Sequence, residues 1–184
     1  MTILILGDIM SNKTLKIMSK NYKLDKVVNL LKSIYEHSQW VPERLFSGDL
    51  NEIVDQKHLQ KKMQETVDNA SKNEKLNLIK SHPELGNKLQ KSSDLTKFSK
   101  DEQRSAGLDQ CSEEEFEILN YLNTKYRDKF NFPFIIAVKG LSKNEIINEM
   151  RKRVSNTKEK EFKTAISEIH KIAKIRIQEI DFET

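Results

Sequence analysis

Residues 161–179 read EFKTAISEIHKIAKIRIQE, and the spacing of their apolar side chains decides the fold class. Phe162, Ala165, Ile166, Ile169, Ile172 and Ala173 recur three or four apart, the period that stacks side chains on one face of an α-helix. The stretch holds no Gly or Pro to interrupt it. A long helix with one apolar stripe must bury that stripe against other elements. Arg176 falls on the same face, three after Ala173 and seven after Ile169, so its guanidinium points inward, where it needs an anionic partner.

Working back towards the N-terminus, the same period returns. Ser142 with Glu145 has the form of a capping box ahead of Ile146, Ile147, Met150 and Val154, with Arg153 near the inner face. Ser112 with Glu115 repeats the pattern before a helix that turns Phe116, Leu119, Leu122 and Tyr126 inward and stops by Pro133. Between these helices the run Phe134–Val138 is open to two readings, a short strand or a buried extended segment or helical turn. The absence of a second clear strand makes the latter more economical. Ser99 with Glu102 reads as a third capping box. His82 and Pro83 begin a non-helical stretch, rich in Ser, Asp, Gly and Asn, that runs to about Phe98 and leaves backbone groups free to face a ligand. Residues 52–79 are polar with sparse apolar positions, Ile53, Leu59, Met63, Val67, Leu76 and Ile79, which predicts one or two helices on the surface. Leu24, Val27, Val28, Leu31, Ile34 and Tyr35 give one more inward face, ended by Pro42.

The expectation is an all-α fold, one compact bundle of six to eight helices. Length agrees, since 184 residues fit one domain. No run approaches the ~18 apolar residues of a membrane span, and the apolar start Ile3–Leu6 is too short and lacks the basic flank of a signal peptide. One cysteine, Cys111, excludes an internal disulfide framework and fits a reducing, cytoplasmic setting. Of 32 basic residues 26 are Lys, interspersed with 28 acidic ones, which describes a solvated surface rather than a nucleic-acid-binding stripe. The histidines and acids do not fall at metal-ligand spacings, so no metal site is expected. His37 beside Trp40 reads as a packing or hydrogen-bonding residue, and His58 and His170 as exposed.

Five words, in order, resemble the decarboxylases that act on 2-oxo-4-hydroxy-4-carboxy-5-ureidoimidazoline, the OHCU decarboxylase family. They are Tyr35 Glu36 His37 Ser38 with Trp40; His82 Pro83 with Leu85 Gly86; Ser99 with Glu102 Gln103 and Ala106 Gly107 Leu108; Phe132 Pro133 Phe134 Ile135 with Val138 and Gly140; and Arg153, Asn156 and Glu161 leading to Ile172 Ala173 and Arg176. The resemblance covers roughly residues 24–180 and divides the chain into an N-terminal extension, 1–20, and a domain, 21–184. One departure is Gly86 Asn87 Lys88, where many members have Ala Gly Lys.

The resemblance implies a decarboxylase of urate degradation that forms (S)-allantoin. Loss of carbon dioxide leaves negative charge on the carbon that bore it, delocalised into the adjacent ring carbonyl, and that carbon is expected to be protonated on one face. The substrate's own ring is the electron sink, so no cofactor is implied. His82 is implied as the proton donor, with Glu102 as its catalytic partner and substrate ligand. Pro83, Ser99, Lys100, Asp101, Gln103, the segment Phe134, Ile135, Ile136, Ala137 and Val138, and Arg176 are implied to bind the small-molecule substrate. Several have a plainer reading: His82 as a solvated loop histidine or one capping a backbone carbonyl, Pro83 as an ordinary loop proline, Ser99 and Glu102 as caps, Arg176 as a salt bridge to a neighbouring helix, and the segment 134–138 as plain core. A non-catalytic helical interaction module on the same fold is the alternative. Family members are often homodimers, and the residues themselves leave the oligomeric state open. The ending Asp181 Phe182 Glu183 Thr184 is not a peroxisomal signal and favours a bacterial cytosolic setting.

Overall fold

A computed structural model describes residues 24–47, 55–86 and 95–180. Its regular elements are all helical: α1 (Leu24–Leu31), α2 (Trp40–Leu45), α3 (Gln56–Asp68), α4 (Lys72–Lys80), α5 (Lys97–Ser105), α6 (Glu113–Phe130), α7 (Lys143–Arg153) and α8 (Lys158–Glu179), with a 3-10 turn at Leu108–Gln110. The all-α expectation therefore holds. Residues 1–20, Ile53, the Asn87 Lys88 departure and the last four residues lie outside the described residues.

The helix that decided the fold class also organises it. α8 packs on α3, α4 and α6, and Ala165, Ile166, Ile169, Ile172, Ala173 and Ile177 are buried along it. Each fully buried Ile contributes about 1.5–3 kcal/mol. Caps fix where the helices start. The boxes Ser112–Glu115 and Ser142–Glu145 form as expected, and a further one, Ser71–Glu74, opens α4. Asn131, in left-handed backbone at φ 61°, ends α6 just before Pro133.

Several expectations are corrected. Ser99 and Glu102 do not form a capping box: the N-cap of α5 is Thr96, whose hydroxyl accepts from the Ser99 N–H. Ser99 and Glu102 are thus inside the helix, free to use their side chains elsewhere. Pro42 does not end a helix but sits in the first turn of α2, where its missing N–H has no helical partner to lose. α3 and α4 are not surface helices, because Leu59, Met63, Val67, Leu78 and Ile79 are buried. Their sparse apolar positions form one complete inner face. Phe134–Val138 is a buried extended segment without strand pairing. His58 is half-buried, and His170 bridges the Tyr35 hydroxyl and Asp68, both at 3.1 Å. No described helix is long and apolar enough to cross a membrane.

Candidate active site

His82 follows the last turn of α4. Its Nδ1 lies 2.8 Å from the Leu78 carbonyl, which can only accept, so Nδ1 carries the proton. Nε2, on the opposite edge of the ring, is buried without a protein partner. Burial lowers the imidazole pKa to about 4, against the opposing pull of the Glu36 charge. The resting residue is a neutral imidazole whose Nε2 lone pair has no protein partner. The turn that carries it is clamped: Gly86 N–H donates to Gln103 Oε1 at 3.1 Å, and Asn123 Nδ2 donates to the Leu85 carbonyl at 2.9 Å. With its oxygen engaged in this way, Gln103 is left to present its NH2 donors.

Arg176 is 1% exposed and all five of its donors are used. Nε and Nη2 form a fork on Glu102 at 2.8 and 2.7 Å. Nη1 reaches Glu36 Oε2 at 2.8 Å and the Ser33 carbonyl at 3.0 Å, and Nη2 also reaches Ser99 Oγ at 3.1 Å. Glu36 in turn accepts from Ser99 Oγ at 2.7 Å and Thr96 Oγ1 at 2.9 Å. Burial pushes the Glu36 carboxyl up, but Arg176, His82 and the Ser99 hydroxyl outweigh it and hold its pKa below the usual carboxylate value. Glu36 also sits in left-handed backbone, φ 53°, which turns its side chain under α5. The plain reading of Arg176 is thus realised, a salt bridge between helices, yet it stands in the wall of a cavity.

The segment 134–138 is pinned from behind. Arg153 Nη1 donates to the Ile135 carbonyl at 2.8 Å, and the Ala137 N–H donates to Glu168 at 2.9 Å. Arg153 is held by Glu161, 2.9 Å from its Nε, and Tyr126 and Asn156 also donate to that carboxylate. The guanidinium stacks 4.4 Å from the Phe134 ring centroid. This second buried pair supports the wall rather than forming it.

One cavity brings together His82, Pro83, Ser99, Glu102, Gln103, Phe134, Ile135, Ile136, Val138 and Arg176 from the expected set, joined by Leu85 and Ile172. Lys100, Asp101 and Ala137 do not line it. Asp101 and Ala137 face a neighbouring groove instead, because successive residues of a helix or extended segment point different ways. Arg153 is also outside the wall. Sequence reasoning missed Glu36, whose only signal was its place in the first family word. The open volume is about 30 Å³, one water's share. The groove, about 650 Å³, lies across a shared partition of Glu102, Val138 and Ile172.

A buried imidazole nitrogen without a protein partner thus stands beside a fixed ion cluster in the wall of a cavity enclosed by helices. The sequence profile of OHCU decarboxylase matches residues 20–178, and the chain belongs to that family. The uric acid degradation bifunctional protein of Bacillus sp. (strain TB-90) is 43% identical over 154 residues, 83% of this chain and 29% of that protein. A 2-oxo-4-hydroxy-4-carboxy-5-ureidoimidazoline decarboxylase of Haloferax volcanii is 39% identical over 155 residues, 84% of this chain and 89% of that one. Among solved structures, (S)-allantoin synthase matches with a TM-score of 0.71 at 33% identity, over 90% of this chain and 53% of that one. An OHCU decarboxylase in the presence of (S)-allantoin matches with a TM-score of 0.65, over 79% of this chain and 93% of that one; at 20% identity it shows the fold alone. The chain thus spans under a third of the Bacillus protein and about half of the allantoin synthase.

Proposed function

We propose that this chain decarboxylates 2-oxo-4-hydroxy-4-carboxy-5-ureidoimidazoline to (S)-allantoin, with His82 moving the proton. The observation that carries the reading is His82 Nε2, buried and unpartnered in the wall of a cavity built from the family's words. The substrate's name places hydroxyl and carboxylate on one ring carbon and the ureido group on the next. When the carboxylate leaves as carbon dioxide, its bonding pair forms a double bond to the ureido-bearing carbon, the ring C=N pair moves onto the ring nitrogen, and that nitrogen takes up one proton from solvent to leave a neutral enol. The enol becomes allantoin when its hydroxyl loses a proton and the ureido-bearing carbon gains one. A neutral imidazole suits both halves: Nε2 takes the hydroxyl proton and returns it to carbon on the face that His82 occupies. His82 is then the expected donor, charged only during turnover, when the Glu36 carboxylate favours its charged form.

The remaining walls divide by polarity. Gln103 offers donors to a ring carbonyl or the carboxylate, and Glu102 offers acceptors to ureido N–H groups. The segment 134–138 and Leu85 exclude water, which keeps the transferred proton from exchanging. A lone cysteine agrees with a cytoplasmic site of action.

The test generates the substrate in situ from urate with the two upstream enzymes and follows allantoin chirality by circular dichroism, with wild type and with His82→Gln. Expected is rapid (S)-allantoin that the variant loses by at least about 100-fold. Racemic product at the uncatalysed rate from the wild type would refute the reading.

A further inference from the structure

We propose that Glu36 is a positioning residue for this reaction, the permanent counter-ion of Arg176, whose charge lets Glu102 leave the guanidinium and turn to the substrate. The inference rests on the decarboxylase reading and deepens it. Arg176 carries one positive charge and touches two carboxylates, so one of them exceeds what neutrality needs. The two are not equivalent. The Glu36 side chain is 0% exposed and is locked by Thr96, Ser99 and Arg176 together. The Glu102 side chain is 22% exposed, its carboxylate is held by Arg176 alone among the bonds described, and it borders both cavity and groove.

Volume favours motion in the partition, which Glu102 shares with Val138 and Ile172. A chamber of about 30 Å³ does not admit a ureido-substituted ring, whereas the groove of about 650 Å³ beyond Glu102 does. Turning Glu102 aside joins the two spaces and points its oxygens at incoming N–H donors. With Glu102 as sole partner that motion would strand a buried guanidinium, a heavy cost. Glu36, fixed below, keeps the guanidinium paired throughout. It acts through Arg176 and Glu102 and touches no reacting atom.

The test compares Glu36→Gln, Glu36→Asp, Glu102→Gln and the Glu36→Gln/Glu102→Gln double variant in the coupled allantoin assay, with folding followed by circular dichroism. Glu36→Gln makes Glu102 the sole counter-ion and is expected to raise KM at least about tenfold, with kcat changed less. Glu36→Asp keeps the charge and is expected to recover part of that loss. The double variant leaves the buried guanidinium without a carboxylate, so it should be clearly less stable than either single variant. A double variant as stable as Glu36→Gln, or a KM for Glu36→Gln within about twofold of wild type, overturns the proposal. If Glu36→Gln does not fold, a crystal structure of the wild type with (S)-allantoin decides. The Glu102–Arg176 fork should then be open and the Glu36–Arg176 pair closed, and an intact fork beside bound ligand overturns the proposal. A wild type without activity fails at the earlier step, the decarboxylase reading itself.

Discussion

Substituting Gly86 by Ala tests how tightly the turn after His82 is specified. Gly86 has φ +65°, and a Cβ built there would lie 2.8 Å from Leu119 Cδ1. Left-handed backbone costs a side-chain-bearing residue about 1–2 kcal/mol. Leu119 is fully buried, so its methyl has no open space to enter and must leave its rotamer, at about 0.5–1.5 kcal/mol. Against these stands a gain of roughly 0.5–1 kcal/mol from a less flexible unfolded chain. The net is a destabilisation of about 2 kcal/mol, or a fall in Tm of about 4–8 °C for a domain of this size. Gly140→Ala is the internal control: φ is +83° but nothing lies within 4 Å, so only the backbone part applies. Thermal and urea unfolding of both variants isolate the Leu119 contact as their difference. Because Gly86 N–H holds Gln103 and Asn123 holds Leu85, the Gly86 variant should also lose kcat/KM, and the Gly140 variant should not lose it comparably. Equal stability losses in the two variants would refute the packing argument.

Three further outcomes follow from the buried charges. The folded-state pKa of His82, about 4, lies below the ordinary 6.5, so the unfolded chain binds that proton first. Stability should therefore fall as pH drops from 6.5 towards 4, by about 3 kcal/mol, and His82→Gln should flatten the Tm–pH curve; parallel curves would count against a buried neutral imidazole. Arg153→Leu strands Glu161 and frees the Ile135 carbonyl, at a cost of about 3–5 kcal/mol by urea unfolding; a loss below about 1 kcal/mol would make that pair marginal. Arg176→Met reverses the sign at Glu36. In the wild type its lowered pKa contributes stability that is lost as pH falls through the folded value, whereas without Arg176 burial raises it and protonation restores stability as pH falls. Tm measured in both from pH 7 to below the ordinary carboxylate pKa of 4.5 should show that contrast.

The sequence carried the helices well and the edges less well. Period and caps located α6 and α7, and period alone located α8, whose Thr157 cap the sequence reading did not name. Ser99 and Glu102 misled for a physical reason: a serine three before a glutamate is a cap only if the helix begins there, and Thr96 begins it one turn earlier. α3 looked superficial because three apolar residues at four-residue spacing are few in number, yet they suffice to fill one buried face. At the site, the family words supplied His82, Gln103 and the segment 134–138, and periodicity alone turned Arg176 inward. Glu36 was not assignable from local pattern, since its partners Thr96, Ser99 and Arg176 are 60, 63 and 140 residues away.

The two buried arginines show what separates support from site. Arg153 and Glu161 balance one to one, and the remaining guanidinium nitrogen, Nη1, is fixed on a backbone carbonyl, so the pair supports the wall from behind. Arg176 faces two carboxylates, an excess that a purely structural bridge does not need and that low dielectric makes costly to keep. The excess is tolerated where it can be relieved: at the partition, on the more exposed of the two acids, next to an imidazole that becomes positive only when it has taken a proton. Under the function proposed above, a substrate bringing N–H donors to Glu102 and a transferable proton to His82 relieves both at once. The surplus carboxylate is then the group that recognises it, and the arginine is the scaffold that holds that carboxylate ready.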